Sequence, residues 1–189
     1  MLKFLYVFYV SLNLYCIVER RQNMCGFCGF LDSSPSKKDV LTPMMDALAH
    51  RGPDSGGQYI DNQIGMGFRR LSIVDVEEGS QPLYNEDSRY VLTFNGEIYN
   101  HASLREKLEA AGHIFKTATD SEVLIHGYEE YGSGLLSYLR GMFAFVIWDK
   151  QEQTLFGARD FFGIKPFYYY HGNNQFIYGS ELKSLLQPL

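Results

Sequence analysis

Short apolar runs closed off by turn-forming residues recur along most of this chain, and that punctuation restricts it to folds built on paired strands. The stretch 26–31, Gly-Phe-Cys-Gly-Phe-Leu, is apolar and ends at Asp32, Ser33, Ser34 and Pro35, the pattern of a buried strand running into a turn. Residues 58–60 and 64–70 flank Asp61 and Asn62 and predict a hairpin, and 90–94 predicts a further strand. Two more hairpins are predicted late in the chain, 143–148 with 154–159 and 167–170 with 175–178, the second turned by Gly172, Asn173 and Asn174. The 14 Tyr and 14 Phe favour the same outcome, because aromatic side chains fit a pleated, half-buried surface.

Helical spacing is inserted between these hairpins. Leu41, Met44, Met45 and Leu48 recur at helical intervals over 40–50, with Pro43 predicting a start near Thr42 and Gly52 a stop. Asn100 is placed to cap a helix carrying Leu104, Leu108 and Ala111 on one face and ended by Gly112. Thr119, Asp120, Ser121 and Glu122 form a capping-box pattern ahead of Val123, Leu124 and Tyr128, with Gly132 as the stop, and a short apolar helix is predicted over 135–139. Hairpins interleaved with helices predict an α+β fold of antiparallel layers rather than an alternating parallel sheet. The 189 residues suffice for a single domain.

A net charge of −5 with scattered Lys and Arg leaves no basic footprint for nucleic acid. Three cysteines, Cys16, Cys25 and Cys28, give no framework of pairs and fit a reducing compartment, so a cytoplasmic setting is expected. Residues 1–24 stand apart. Lys3 precedes an apolar run over 4–18 that has the length of a signal-peptide core but falls short of the roughly 20 residues a membrane span needs. Glu19, Arg20, Arg21, Gln22, Asn23 and a second methionine, Met24, follow in place of a small-residue cleavage site. This extension is expected to be a start set too far upstream, a removable pro-segment or a targeting sequence. The folded domain is expected over 25–189, with no membrane span.

Chemistry concentrates in three clusters: 24–29 (Met-Cys-Gly-Phe-Cys-Gly); 51–54 (Arg-Gly-Pro-Asp) with 70–75 (Arg-Leu-Ser-Ile-Val-Asp); and 95–100 (Asn-Gly-Glu-Ile-Tyr-Asn) with 119–122 (Thr-Asp-Ser-Glu). Together with 159–166 (Arg-Asp-Phe-Phe-Gly-Ile-Lys-Pro), and in this order, they resemble the class II glutamine amidotransferase domain in its asparagine synthetase branch, from Cys25 to about Leu186. The resemblance implies the four-layer αββα sandwich of N-terminal nucleophile hydrolases. It also implies hydrolysis of L-glutamine to glutamate and ammonia, with Cys25 as first residue of the mature chain and nucleophile. A free thiol, with a pKa of about 8.5, needs a base near neutrality, and a terminal α-amine, with a pKa of about 7.7 to 8.0, lies on the same residue.

By the same resemblance Asn95 and Gly96 supply an oxyanion hole from a side-chain amide and a backbone N–H. Arg70 holds the α-carboxylate of glutamine, Glu97 and Asp120 hold its α-ammonium, and Leu71, Ser72, Ile73 and Val74 wall the pocket. Taken alone, Asn95-Gly96 is equally a hairpin turn, Arg70 a strand-end charge, and Asp120 a complement to a helix N-terminus. Residues 51–54 read as a turn bracing the site. Cys25 and Cys28 also fit Cys-x-x-Cys, which raises a thiol-disulfide module as an alternative, and a non-catalytic amidotransferase-like binding domain is another. No four-ligand metal set is evident: a second Cys-x-x-Cys or a close His pair is lacking in the sequence. The glutaminase needs no cofactor. ATP and Mg²⁺ are implied for a synthetase domain, missing from these residues, that amidates aspartate, and a homodimer is compatible with the family.

Overall fold

In the computed structural model, residues 5–6, 24–32, 36–71, 80–172 and 174–188 are described, the first pair by backbone alone. The predicted strands form two five-stranded sheets. One has the order β1 (Leu5–Tyr6), β8 (Thr154–Arg159), β7 (Gly141–Asp149), β6 (Tyr90–Ile98), β5 (Leu83–Tyr84). The other runs β3 (Ser55–Ile60), β4 (Ile64–Arg70), β2 (Gly26–Leu31), β10 (Gln175–Gly179), β9 (Tyr168–Gly172). All pairings are antiparallel except β1 with β8, so a fragment of the 1–24 extension sits on a sheet edge.

Side-chain alternation sorts the core into three apolar layers. Phe27, Phe68, Val146, Trp148 and Tyr178 fill the space between the sheets. Leu92, Phe94, Phe145 and Phe156 turn outward from the first sheet against α2 (His101–Ala111) and α3 (Glu122–Tyr131). Cys28, Phe30 and Ile177 turn outward from the second against α1 (Lys37–Asp46) and α4 (Leu182–Leu185). The result is the expected αββα sandwich, and each fully buried side chain of the size of Phe27 stabilises it by about 1.5 to 3 kcal/mol. No helix of the described residues is long and apolar enough to cross a membrane.

Four local expectations and one alternative need correction. The first helix starts at Lys37 and carries Pro43 inside it, because burial of Leu41, Met44 and Met45 outweighs the local preference of proline for a first turn. Asn95-Gly96 is no turn; β6 runs through it, pairing Asn95 with Ala144 and Gly96 with Phe143. The capping box over 119–122 does not form, since the helix begins at Glu122 and its carboxylate instead accepts the backbone N–H groups of Lys116 and Thr117. Over 132–137 the short apolar helix is a 3₁₀ segment. At the α2 start, Asn100 spends its side chain on the Tyr138 carbonyl and the Arg140 N–H rather than on the helix.

Candidate active site

Cys25 lies half-buried immediately before β2, against the layer between the sheets. The N–H of Leu71, just after β4, donates to its Sγ at 3.4 Å, and Sγ lies 3.7 Å from the Leu71 carbonyl oxygen. Arg70, half-buried, is therefore one residue from the thiol, and its partner across the ladder is Ser55. Ser72, Ile73 and Val74 lie outside the described residues.

Asn95 is on the neighbouring sheet. On β6 the even-numbered Leu92, Phe94 and Ile98 face the helices, while Val91 faces the other sheet. Strand alternation therefore turns Asn95 and Glu97 toward the side from which Cys25 is presented. Asn95 is buried, and its Nδ2 has no hydrogen-bond partner among the described residues, so a neutral donor is held ready in a dry position. A Cβ at Gly96 would collide with the Met142 carbonyl oxygen and the Phe143 Cα, which restricts that position to glycine.

The Ile98 N–H donates to Asp120 Oδ2 at 2.7 Å, pinning that carboxylate next to Glu97. Burial pushes the Asp120 carboxyl up, the Glu97 charge adds to this, and the Ile98 hydrogen bond opposes it. Two acidic groups thus gather one strand step from Asn95. Lys165 Nζ lies 3.1 Å from Met24 Sδ, near enough for the charges of Cys25 and Glu97 to act on its ammonium. Burial pulls the Lys165 ammonium down, and the Arg51 charge pulls it further.

The turn over 51–54 does brace Cys25. Arg51, buried, donates from Nε to the Cys25 carbonyl at 3.2 Å and from Nη1 to Glu181 at 3.1 Å. Ser180 exchanges two hydrogen bonds with Phe27, its Oγ accepting the Phe27 N–H at 3.0 Å and its own N–H donating to the Phe27 carbonyl at 2.9 Å. Arg51, Lys165, Ser180 and Glu181 were missing from the sequence-derived site. Arg51 and Lys165 fall in the motifs over 51–54 and 159–166, and Ser180 and Glu181 open the segment Ser-Glu-Leu-Lys-Ser over 180–184, but how these side chains gather around Cys25 is decided by the pairing of β2 with β4 and β10.

Cys25 and Cys28 are both free thiols, one just before β2 and the other on it, not at the opening of a helix. Three residues apart, they project to opposite faces: Cys28 is fully buried toward α1, and burial raises its thiol far above the ordinary range. The thiol-disulfide reading fails on this geometry.

Comparisons with known proteins agree with the arrangement. Residues 24–189 match the family model described as a glutamine amidotransferase domain. The glutamine-hydrolyzing asparagine synthetase 1 of Bacillus subtilis (strain 168) is 51% identical over 168 residues, which cover 86% of this chain and 27% of that protein. The glutamine-hydrolyzing asparagine synthetase 2 of Arabidopsis thaliana is 42% identical over 166 residues, covering 86% and 28%. The chain therefore spans little more than a quarter of the length of such relatives. Among solved structures, the glutamine phosphoribosylpyrophosphate amidotransferase from B. subtilis superimposes with a TM-score of 0.71 at 22% identity, over 86% of this chain and 43% of that one, a likeness of fold.

Proposed function

The chain belongs to the glutamine amidotransferase domain family, and from that premise we propose that it hydrolyses L-glutamine to glutamate and ammonia through Cys25. The ammonia passes to a synthetase domain, outside these residues, that amidates aspartate and holds the ATP and Mg²⁺ for that step. The observation that carries the reading is the Asn95 amide nitrogen, buried without a partner among the described residues, on the sheet face toward which the Cys25 thiol is presented.

Cys25, freed of the residues before it, transfers its thiol proton to its own α-amine, and the thiolate attacks the side-chain carbonyl carbon of glutamine. The oxygen becomes an anion, stabilised by Asn95 Nδ2 and the Gly96 N–H, donors that need no reorganisation as charge develops. Collapse breaks the C–N bond, the α-ammonium returns its proton to the departing nitrogen, and ammonia leaves a γ-glutamyl thioester. Water, deprotonated by the same amine, attacks the thioester and releases glutamate and the thiol. Arg70 grips the substrate α-carboxylate with a planar fork, Leu71 to Val74 wall the pocket, and Glu97 with Asp120 hold the α-ammonium.

An α-nitrogen tied into a peptide bond with Met24 is no base. A form beginning at Met24 and trimmed to Cys25 is expected to release ammonia from glutamine, and the uncleaved 189-residue form to be nearly inactive. Intact masses fix which form is assayed. Turnover by the uncleaved form within a few-fold of the trimmed one would sink the α-amine mechanism.

A further inference from the structure

On the outer face of the first sheet, remote in the layering from Cys25, four side chains of two kinds meet. Glu86 precedes β6, His113 follows α2, and His126 and Glu129 stand on α3, one turn apart. Their four ligand atoms lie within 4.8 Å of one another. We propose that Glu86, His113, His126 and Glu129 bind a divalent transition-metal ion of the zinc class.

The nitrogens are the decisive feature. His126 is buried, and its Nδ1 has no hydrogen-bond partner among the described residues. That atom points at two carboxylates, 3.5 Å from Glu86 Oε2 and 3.9 Å from Glu129 Oε2, separations too long for hydrogen bonds. His113 Nδ1 faces the same two groups, 4.0 Å from Glu86 Oε1 and 3.7 Å from Glu129 Oε2. A tetrahedral zinc site with bonds of roughly 2.1 Å puts neighbouring ligand atoms about 3.4 Å apart. Closing these four onto one ion takes shifts of under about an ångström, within reach of side-chain rotation.

The outer contacts also have the form of a metal site. His126 Nε2 lies 3.4 Å from Glu122 Oε1, and His113 Nε2 lies 3.2 Å from Glu130 Oε2. A carboxylate accepting a hydrogen bond from Nε2–H fixes the tautomer whose Nδ1 lone pair faces inward, as for metal-ligating imidazoles generally. Glu86 is oriented by the Ile114 N–H at 2.8 Å and Glu129 by Asn85 Nδ2 at 3.2 Å. Two neutral imidazoles and two carboxylates neutralise a doubly charged cation, and this mixed nitrogen and oxygen set suits zinc better than magnesium or calcium. Such an ion would tie the segment before β6 to both helices.

The test uses the full chain carrying Cys25→Ser, so that the half-buried thiol cannot hold metal, stripped with a chelator and titrated with Zn²⁺ against a chromophoric competitor. One equivalent is expected to bind at micromolar concentration or below and to raise the melting temperature. X-ray absorption should report only nitrogen and oxygen neighbours at about 2.0 to 2.1 Å, with no sulfur near 2.3 Å. His113→Ala and the near-isosteric Glu129→Gln should each weaken binding at least about tenfold and abolish the thermal shift. Circular dichroism checks that the variants fold; Glu129 is exposed, so its variant provides a readout even where His113→Ala is unstable. No stoichiometric binding at micromolar Zn²⁺, binding untouched by Glu129→Gln, or a sulfur neighbour in the absorption spectrum would each overturn the proposal.

Discussion

Two buried nitrogens, Asn95 Nδ2 and His126 Nδ1, lie on opposite sides of the same sheet, and both lack a partner among the described residues. Leaving a buried polar atom unpaired costs about 1 to 3 kcal/mol, so each marks a place where stability has been given up. Their surroundings differ in sign. On the inner side Arg51 and Lys165 bring positive charge to Cys25, and the unpaired atom is a donor. On the outer side four carboxylates surround two imidazoles, and the unpaired atom is a lone pair once Nε2 holds the proton. The inner region is proposed to receive a developing anion and the outer one a cation, a distinction carried by the neighbouring charges.

The largest test of that contrast is on β2. Cys25→Ser should lower ammonia release at least about a thousandfold, as loss of a nucleophile does, while Cys28→Ser should retain hydrolysis because its side chain faces α1. Equal loss in both, read by an ammonia assay, would break the separation of the two faces.

Asn95→Ala is expected to cost about 2.7 to 4 kcal/mol of transition-state stabilisation, mostly in kcat. His113→Ala, on the opposite side of the sheet, should leave hydrolysis within a few-fold. Steady-state kinetics on both variants sharpens the comparison, and a kcat loss for His113→Ala matching that for Asn95→Ala would erase it.

Glu122 probes the outer side by pH. Burial alone would raise its carboxyl, but hydrogen bonds with His126, Lys116 and Thr117 bring it from 4.5 to about 2. A folded-state value below the unfolded one means that the stabilisation is complete above pH 4.5 and is lost as pH falls toward about 2. Glu122→Gln should cost about 1 to 3 kcal/mol in denaturant unfolding at neutral pH. The difference from the parent should shrink through that acid window; a gap unchanged down to pH 2 counts against the carboxylate.

The smallest effect is expected from Arg70→Lys, which keeps the charge and gives up the fork. The Michaelis constant for glutamine should rise about tenfold with kcat little changed. A pure kcat loss would remove Arg70 from substrate binding.

Much of the scaffold was legible in the sequence because strand and hairpin signals are local. The Asp61 turn formed as read, its Oδ1 accepting the N–H groups of Gln63 and Ile64. So did the glycine stop of α2, where Gly112 takes a φ of 105°. The proposed nucleophile, Cys25, and the proposed oxyanion pair, Asn95 and Gly96, rest on contiguous motifs. Failure came where a local preference met a tertiary demand: Pro43 sits inside a helix whose apolar face is buried. The alternative of a turn at Asn95-Gly96 falls for the same reason, since pairing with Ala144 and Phe143 holds the dipeptide in β6.

The sequence by itself determined the order of elements, the layered α+β class and the chemistry available at Cys25, Asn95 and Arg70, because periodicity and motif are properties of neighbouring residues. Only the tertiary structure decided which distant side chains share a space. Arg51 and Glu181, 130 positions apart, meet beside Cys25. His113 and His126, whose spacing resembles no metal motif, come to a ring separation of 5.3 Å. The physical reason is that a strand or helix fixes the direction of a side chain, whereas sheet register and the packing of α2 against α3 fix what it points at, and these are settled by burial across the whole domain.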